Sequence, residues 1–266
     1  MAHYSENEIS FFNQLLYEYD IRIDGREKME IRNHEIKQDI VTTCFSSLKI
    51  CYNNSKNEIY FAIKGELVPT STINENNKVI NLNIDSIQKS NENTKVKSQI
   101  ENILNSMLIE KTPIDNLKVE NSKPEMIWKI YVDVFVFDEL KMSILQILAM
   151  GIRKVLMDVK LPKIVTFYNE ITKANEYDLK ANYEELAEKD MEYFANLTPP
   201  QIFTFSVMNN KLYLDPVNEE WDISNCVIFV SVLGNKILQI QSTGGNINPL
   251  IMLELENVIA NLNTNE

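Results

Sequence analysis

Arginine is scarce here. There are four in 266 residues: Arg22, Arg26, Arg32 and Arg153. Glycine is scarce too, six in all, and only Gly244 and Gly245 are adjacent. Such a set cannot build a GxGxxG fingerprint or a P-loop, which excludes the common glycine-cradled nucleotide sites. Gly244-Gly245 reads as a simple turn ahead of a helix rather than an anion site. The two histidines, His3 and His34, stand apart, so neither a zinc cage nor a histidine-based triad is expected, and no metal or cofactor is implied. The three cysteines, Cys44, Cys51 and Cys226, contain no CxxC pair. They read as small buried hydrophobes of a reducing compartment. No run of apolar residues is long enough for a membrane span, and the polar opening MAHYSENEIS has no secretory h-region. Positive charge is in deficit overall. A net charge of −12 argues against a broad nucleic-acid-binding surface.

What is present suits one large domain or two closely packed lobes, with 44% hydrophobic residues for a core. Ile9, Phe12, Leu15, Leu16 and Tyr19 recur at helical spacing. Leu48, Ile50 and Tyr52 alternate, as do Ile59, Phe61 and Ile63 after the polar YNNSKN, which predicts a hairpin. Ile80, Leu82 and Ile84 alternate with asparagines in a half-exposed strand. Val96 to Leu108 follows a helical repeat. IWKIYVDVFVF, residues 127–137, is the strongest strand, apolar on both faces and therefore expected to be covered on both. MSILQILAMGIRKVLM, residues 142–157, predicts the main buried helix, and KIVTFY a short strand. Residues 169–196 are acidic and weakly patterned, and read as a connection with a helical turn near Tyr183 to Leu186. Beyond Pro199-Pro200, strands are expected at QIFTFSV, KLYL, CVIFVSVL and KILQIQ. A closing helix, NPLIMLELENVIANL, follows, capped by Asn246 or Asn248. Two runs of antiparallel-looking strands, each finished by a helix, make an α+β architecture of two similar halves.

Three of the four arginines crowd into YDIRIDGREKMEIR, residues 19–32, around the Asp24-Gly25 turn. Such a cluster can bind phosphate or RNA, or it can clamp the corner by pairing with internal carboxylates. The acidic balance favours the clamp. Asp133 sits inside the central strand, where a buried carboxylate needs a partner. An arginine of the corner is the expected one.

RIDGR with the following Arg32, IYFAIKGELVPT, WKIYVDVFVFD and LYLDPVNEEW occur in an order that resembles RNase PH-type proteins, over about residues 9–262. The likeness is greatest to the exosome ring subunits of that family, in the lineage lacking catalytic residues. The resemblance implies the RNase PH-like (ribosomal protein S5 domain 2-like) fold, two related β-rich lobes each backed by helices. The expected divisions are an N-terminal helix and arginine corner at 1–30, a first lobe at 31–168, a connection at 169–198 and a second lobe at 199–266. Active members are phosphorolytic 3′-to-5′ exoribonucleases whose RNA-holding arginines lie on the helix before the strong strand. Here that helix offers Lys95, Lys97 and Lys111, and lysine does not reproduce bidentate phosphate binding. The glycine-rich phosphate turn is replaced by FDELKMS. Asp190 lies near the register of the catalytic aspartate, without the groups it would act with.

The resemblance therefore implies no catalytic residues, no cofactor and a structural role for Arg22, Asp24, Gly25, Arg26, Arg32 and Asp133. The corner would fix the N-terminal helix against the first lobe. The implied partners are other RNase PH-like subunits in a hetero-hexameric ring, S1/KH-type cap proteins, a hydrolytic exoribonuclease, and RNA passing through the channel. The implied location is nucleus and nucleolus, and also cytoplasm. The alternatives are an active phosphorolytic exoribonuclease with a diverged site, a small-molecule enzyme on a related fold, and an unrelated α+β scaffold.

Overall fold

The computed structural model describes residues 4–19, 21–53, 56–74, 77–87, 91–119, 125–162, 164–169, 174–179, 191–193 and 197–263. Helix α1 spans Glu6–Tyr17. It opens on a capping box in which the Ser5 Oγ accepts from the Glu8 backbone N–H while the Glu8 carboxylate accepts from the Ser5 backbone N–H. Strands β1 (His34–Gln38), β2 (Ser46–Tyr52), β3 (Asn57–Pro69), β4 (Ile80–Ser86) and β5 (Met126–Val136) form one sheet in the order β1-β2-β3-β5-β4. Helix α2 (Asn91–Leu104) links β4 to β5, and this pair is parallel, as a helical crossover requires. The first run of strands is thus mixed rather than wholly antiparallel.

Helix α3 (Leu145–Met157) follows a short 3₁₀ turn and is buried along most of its length. It packs on β2 and β3 of the first sheet and on β10 (Gln201–Met208) of the second. Close approach to β3 depends on Gly151: a Cβ there would lie 2.2 Å from the Phe61 ring. Before β10 come β6 (Lys160–Pro162), the hairpin β7 (Ile164–Asn169) and β8 (Ala174–Leu179), and β9 (Met191–Tyr193), which pairs with β6. The stretch expected to be plain connection therefore carries strands. ANEYDL shows little apolar alternation, the signal by which strands are read, so its pairing with β7 was hidden. The expected helical turn at 183–186 lies outside the described residues.

The second sheet has the order β11-β10-β12-β13, with β11 at Lys211–Leu214, β12 at Cys226–Leu233 and β13 at Lys236–Gly244. Helix α4 (Asn218–Ile223) falls between β11 and β12, and α5 (Pro249–Asn263) closes the chain, its start capped by the Asn248 side chain accepting from the Leu250 N–H. Both faces of β10 and β12 are buried, whereas the edge strand β13 is partly open. Ile202, Val227 and Phe229 join the core around α3, whereas Phe205, Ile228 and Val230 pack with Ile251, Leu255 and Ile259 of α5. The layers run from first sheet to α2 and α3, to second sheet, to α5.

Two polar side chains stitch the middle layer. Gln146 on α3 accepts the Thr204 N–H at 2.6 Å, completing β10 where it has outrun β11. Ser231 on β12 donates to the Met107 carbonyl at 2.6 Å, in the π-helical turn that ends α2. Among the described residues, no helix is long and apolar enough to cross a membrane.

β5 departs from expectation. From Trp128 to Val136 buried and partly buried residues alternate, so one face lies in the core and the other is open. The open face is apolar because aromatic residues stand on it, Tyr131 and Phe135, and not because a layer covers it. Replacing Gly151 by Val should overpack the α3–β3 contact and cost about 2 kcal/mol, read as a lower urea midpoint at unchanged slope.

Candidate functional site: the buried arginine corner

Gly25 takes φ +78° and its N–H bonds back to the Arg22 carbonyl, closing the turn that sets the arginines on one side. Asp24 holds the turn from within, its carboxylate accepting from the Arg26 backbone N–H and, at 2.6 Å, from Arg26 Nε. The chain then runs beside β11, where the Leu214 N–H donates to the Lys28 carbonyl. Met29 and Ile31 pack into the second-lobe core. Leu16 of α1 packs with Met208 and Tyr213. The N-terminal segment is therefore fixed to the second lobe, not to the first as expected.

Asp215 is the centre of the corner. It follows β11 in a left-handed conformation, φ +52°, with no solvent exposure. Its N–H donates to the Thr204 carbonyl. Its carboxylate accepts from Arg32 Nε at 2.9 Å, Arg32 Nη2 at 2.5 Å, the Arg32 backbone N–H at 2.9 Å and Arg26 Nη1 at 3.3 Å. Burial pushes its pKa up, but the charge and hydrogen bonds of Arg32, with Arg26, outweigh burial and hold it below the usual carboxylate range. Burial likewise works against the Arg32 charge, and Asp215 more than offsets it.

Arg22 is enclosed, 2% exposed, against a Glu220 that is 0% exposed. Its Nε and Nη2 donate to the two carboxylate oxygens of Glu220 at 2.9 and 2.6 Å, the bidentate fork that guanidinium permits. Nη1 and Nη2 also serve the carbonyls of Glu27, Glu30, Leu214 and Asp215. Arg32 Nη2 reaches across to the Ser143 carbonyl at the entry to α3 and to the Pro216 carbonyl. Three arginines thus face three carboxylates, Asp24, Asp215 and Glu220, in a neutral knot that joins both lobes.

Five of the six residues singled out in sequence, Arg22, Asp24, Gly25, Arg26 and Arg32, come together here. Asp133 does not. Its side chain is 44% exposed on the open face of β5, 3.9 Å from Lys64 Nζ, so it never needed a buried partner. The true partners, Asp215 and Glu220, both lie in LYLDPVNEEW, a segment already marked by its resemblance, but nothing in local spacing tied it to a corner some 190 residues earlier.

The loop after β5 is acidic, and its side chains are engaged within the chain. In FDELKMS, the Asp138 side chain accepts from the Asn57 amide, Glu139 pairs with Lys141, and the Ser143 hydroxyl donates to the Asn218 side chain. On α2, Lys97 pairs with Glu101. Asp190 lies outside the described residues. Arg153, the arginine outside the corner, is half-buried on α3 and donates to the Pro199 carbonyl.

Comparison with known proteins agrees with this architecture. Residues 198–261 match the model of the 3′ exoribonuclease family, domain 2. A chain titled "Archaeal exosome core" superposes with a TM-score of 0.63 at 17% identity, covering 97% of this chain and 96% of the other. The Archaeoglobus fulgidus exosome with RNA bound to the active site gives 0.61 at 16% identity, with 98% of both chains covered. Rice (Oryza sativa) Rrp46 gives 0.56 at 10% identity, with 92% and 95% covered. The fold is RNase PH-like: residues 198–261, in the second lobe, match that family's domain 2, and the likeness of fold extends over nearly the whole chain. Among curated proteins, the exosome complex component RRP42 of Saccharomyces cerevisiae is 24% identical over 217 residues, 82% of this chain and 76% of the relative.

Breaking the knot leaves a buried charge uncompensated. Asp215→Asn should cost about 3–5 kcal/mol at pH 7. The depressed carboxylate contributes its stability above the unfolded value near 3.8 and loses it as pH falls through the lower folded value. Urea midpoints measured from pH 7 to pH 2 should therefore fall steeply below about pH 4 in the wild type and more shallowly in Asp215→Asn.

Proposed function

We propose that this chain is a non-catalytic structural subunit of an exosome-type hexameric ring that supports 3′-to-5′ RNA processing and degradation. The observation that carries the reading is the fate of its arginines. Phosphorolysis must bring phosphate up to an anionic RNA backbone, which calls for preorganised positive charge at the scissile bond. Here the corner arginines are neutralised inside the protein, and Arg153 is half-buried at the joint between the lobes. The loop after β5 presents Asp138 and Glu139 instead of a phosphate cradle. The likeness to the yeast exosome component and to exosome cores supports ring membership.

In this reading the partners are other RNase PH-like subunits, with S1/KH-type caps and a hydrolytic exoribonuclease attached to the ring. RNA passes through the assembled channel. The protein works in nucleus, nucleolus and cytoplasm. The chain supplies a rigid two-lobed wedge, and its edge strands are covered on assembly.

Two measurements test this. The purified chain, given a 5′-labelled RNA oligonucleotide and inorganic phosphate, should release no nucleoside diphosphate. Native mass spectrometry of the tagged protein from its own cells should show a heteromer of about six related subunits. Phosphate-dependent shortening of the RNA would mark an active enzyme with a diverged site. A homo-oligomer or a lone monomer would overturn the ring reading.

A further inference from the structure

The open face of the five-stranded sheet carries a pocket of about 360 Å³. Its floor is Ala62, the small residue between Ser47 and Asp133 in the cross-strand row. One wall is the loop after β1, where Ile40 and Val41 are each 39% exposed. That loop is pinned by the Ser47 hydroxyl, which accepts the Val41 N–H at 2.8 Å, and by the Asp39 N–H donating to the Ser47 carbonyl. A second wall is aromatic: Tyr60 and Phe135, each packed on Phe137 at ring-centroid distances of 5.1 and 4.9 Å. The third side bears the carboxylates of Asp133 and Asp85 with Asn83 between them in the pattern.

This lining is specific in its chemistry. Aliphatic and aromatic surface beside two carboxylates suits a long side chain with an apolar stem and a cationic head. A cation of the chain itself shows what the aromatic wall accepts, since Lys49 Nζ sits 5.2 Å from the Tyr60 ring centroid. Asp133 is held only loosely within the chain. Asn83 donates to it at 3.4 Å, and Lys64 Nζ is 3.9 Å away on a side chain 63% exposed. Guanidinium suits the site better than ammonium, because it stacks on a ring and forks to a carboxylate at once.

We propose that this pocket receives an arginine side chain from a segment of a partner protein, its stem against Ile40 and Val41 and its head between Asp85 and Asp133. The proposal goes beyond the ring reading and does not depend on it. RNA is the poorer occupant. Of the lysines beside the pocket, Lys49 is paired with Glu58 and Lys129 with Glu66, and the two aspartates repel phosphate.

The test is selection of a phage-displayed dodecapeptide library on the immobilised full chain, followed by fluorescence anisotropy with the selected peptide. Arginine beside an apolar residue should be enriched. Replacing that arginine by citrulline, which keeps the shape and removes the charge, should weaken binding at least tenfold. Asp133→Asn and Ala62→Leu, both on the open face, should do the same while leaving the thermal midpoint unchanged. An unlabelled RNA dodecamer should not compete. Selection without arginine, equal binding of the citrulline peptide, binding that survives both substitutions, or displacement by RNA would each overturn the proposal.

Discussion

Asp215 is the group on which the rest of the structure depends. It is fully buried, charged and wound into a left-handed turn, and each of those features is unfavourable alone. Together they place one carboxylate where Arg32 and Arg26 converge. A buried ion pair is weak evidence for stability, because an apolar replacement can do as well, but an ion pair half removed is severely destabilising. The knot therefore acts chiefly as a constraint on geometry. With Arg32 tied to Asp215, Ser143 and Pro216, the entry to α3, the end of β11 and the N-terminal strap are held in one mutual arrangement.

That arrangement explains why the two lobes are not separable in the usual sense. Helix α3 belongs by sequence to the first lobe, yet it packs on both sheets and lends Gln146 to finish β10. The N-terminal segment precedes the first lobe in the chain yet lies with the second, through Leu16, Met29 and Ile31. The chain thus begins on one lobe, builds the other and returns. Linking lobes in this way fixes their angle.

Much of this was legible in the residues. Period-two alternation located β2, β3 and β4, because each lays an apolar face on the layer of α2 and α3. Helical spacing located α1, α2, α3 and α5. Asp133 misled because hydrophobicity on both sides of β5 was taken as cover, whereas Tyr131 and Phe135 are partly open. Sequence cannot distinguish a buried aromatic from one left on an open sheet face. The acidic balance favoured pairing of the arginine corner with internal carboxylates over phosphate or RNA binding, and the arginines do meet carboxylates. Which carboxylates, and which lobe they stand on, depends on folding across nearly the whole chain.

Lysine could not have made this corner, and that explains the uneven distribution of basic residues. Of the 26 basic residues only four are arginine, and the described lysines lie largely in exposed pairs such as Lys78 with Glu110 and Lys118 with Asp115. An ammonium offers three donors from one point, whereas Arg22 donates from three nitrogens to two carboxylate oxygens and four carbonyls. Lysine there would leave buried acceptors unsatisfied, at about 1–3 kcal/mol each. Surface solubility needs only charge, which lysine supplies. The joint between lobes needs a planar fork with directional donors. Arginine is therefore concentrated at the joint, where its geometry is required.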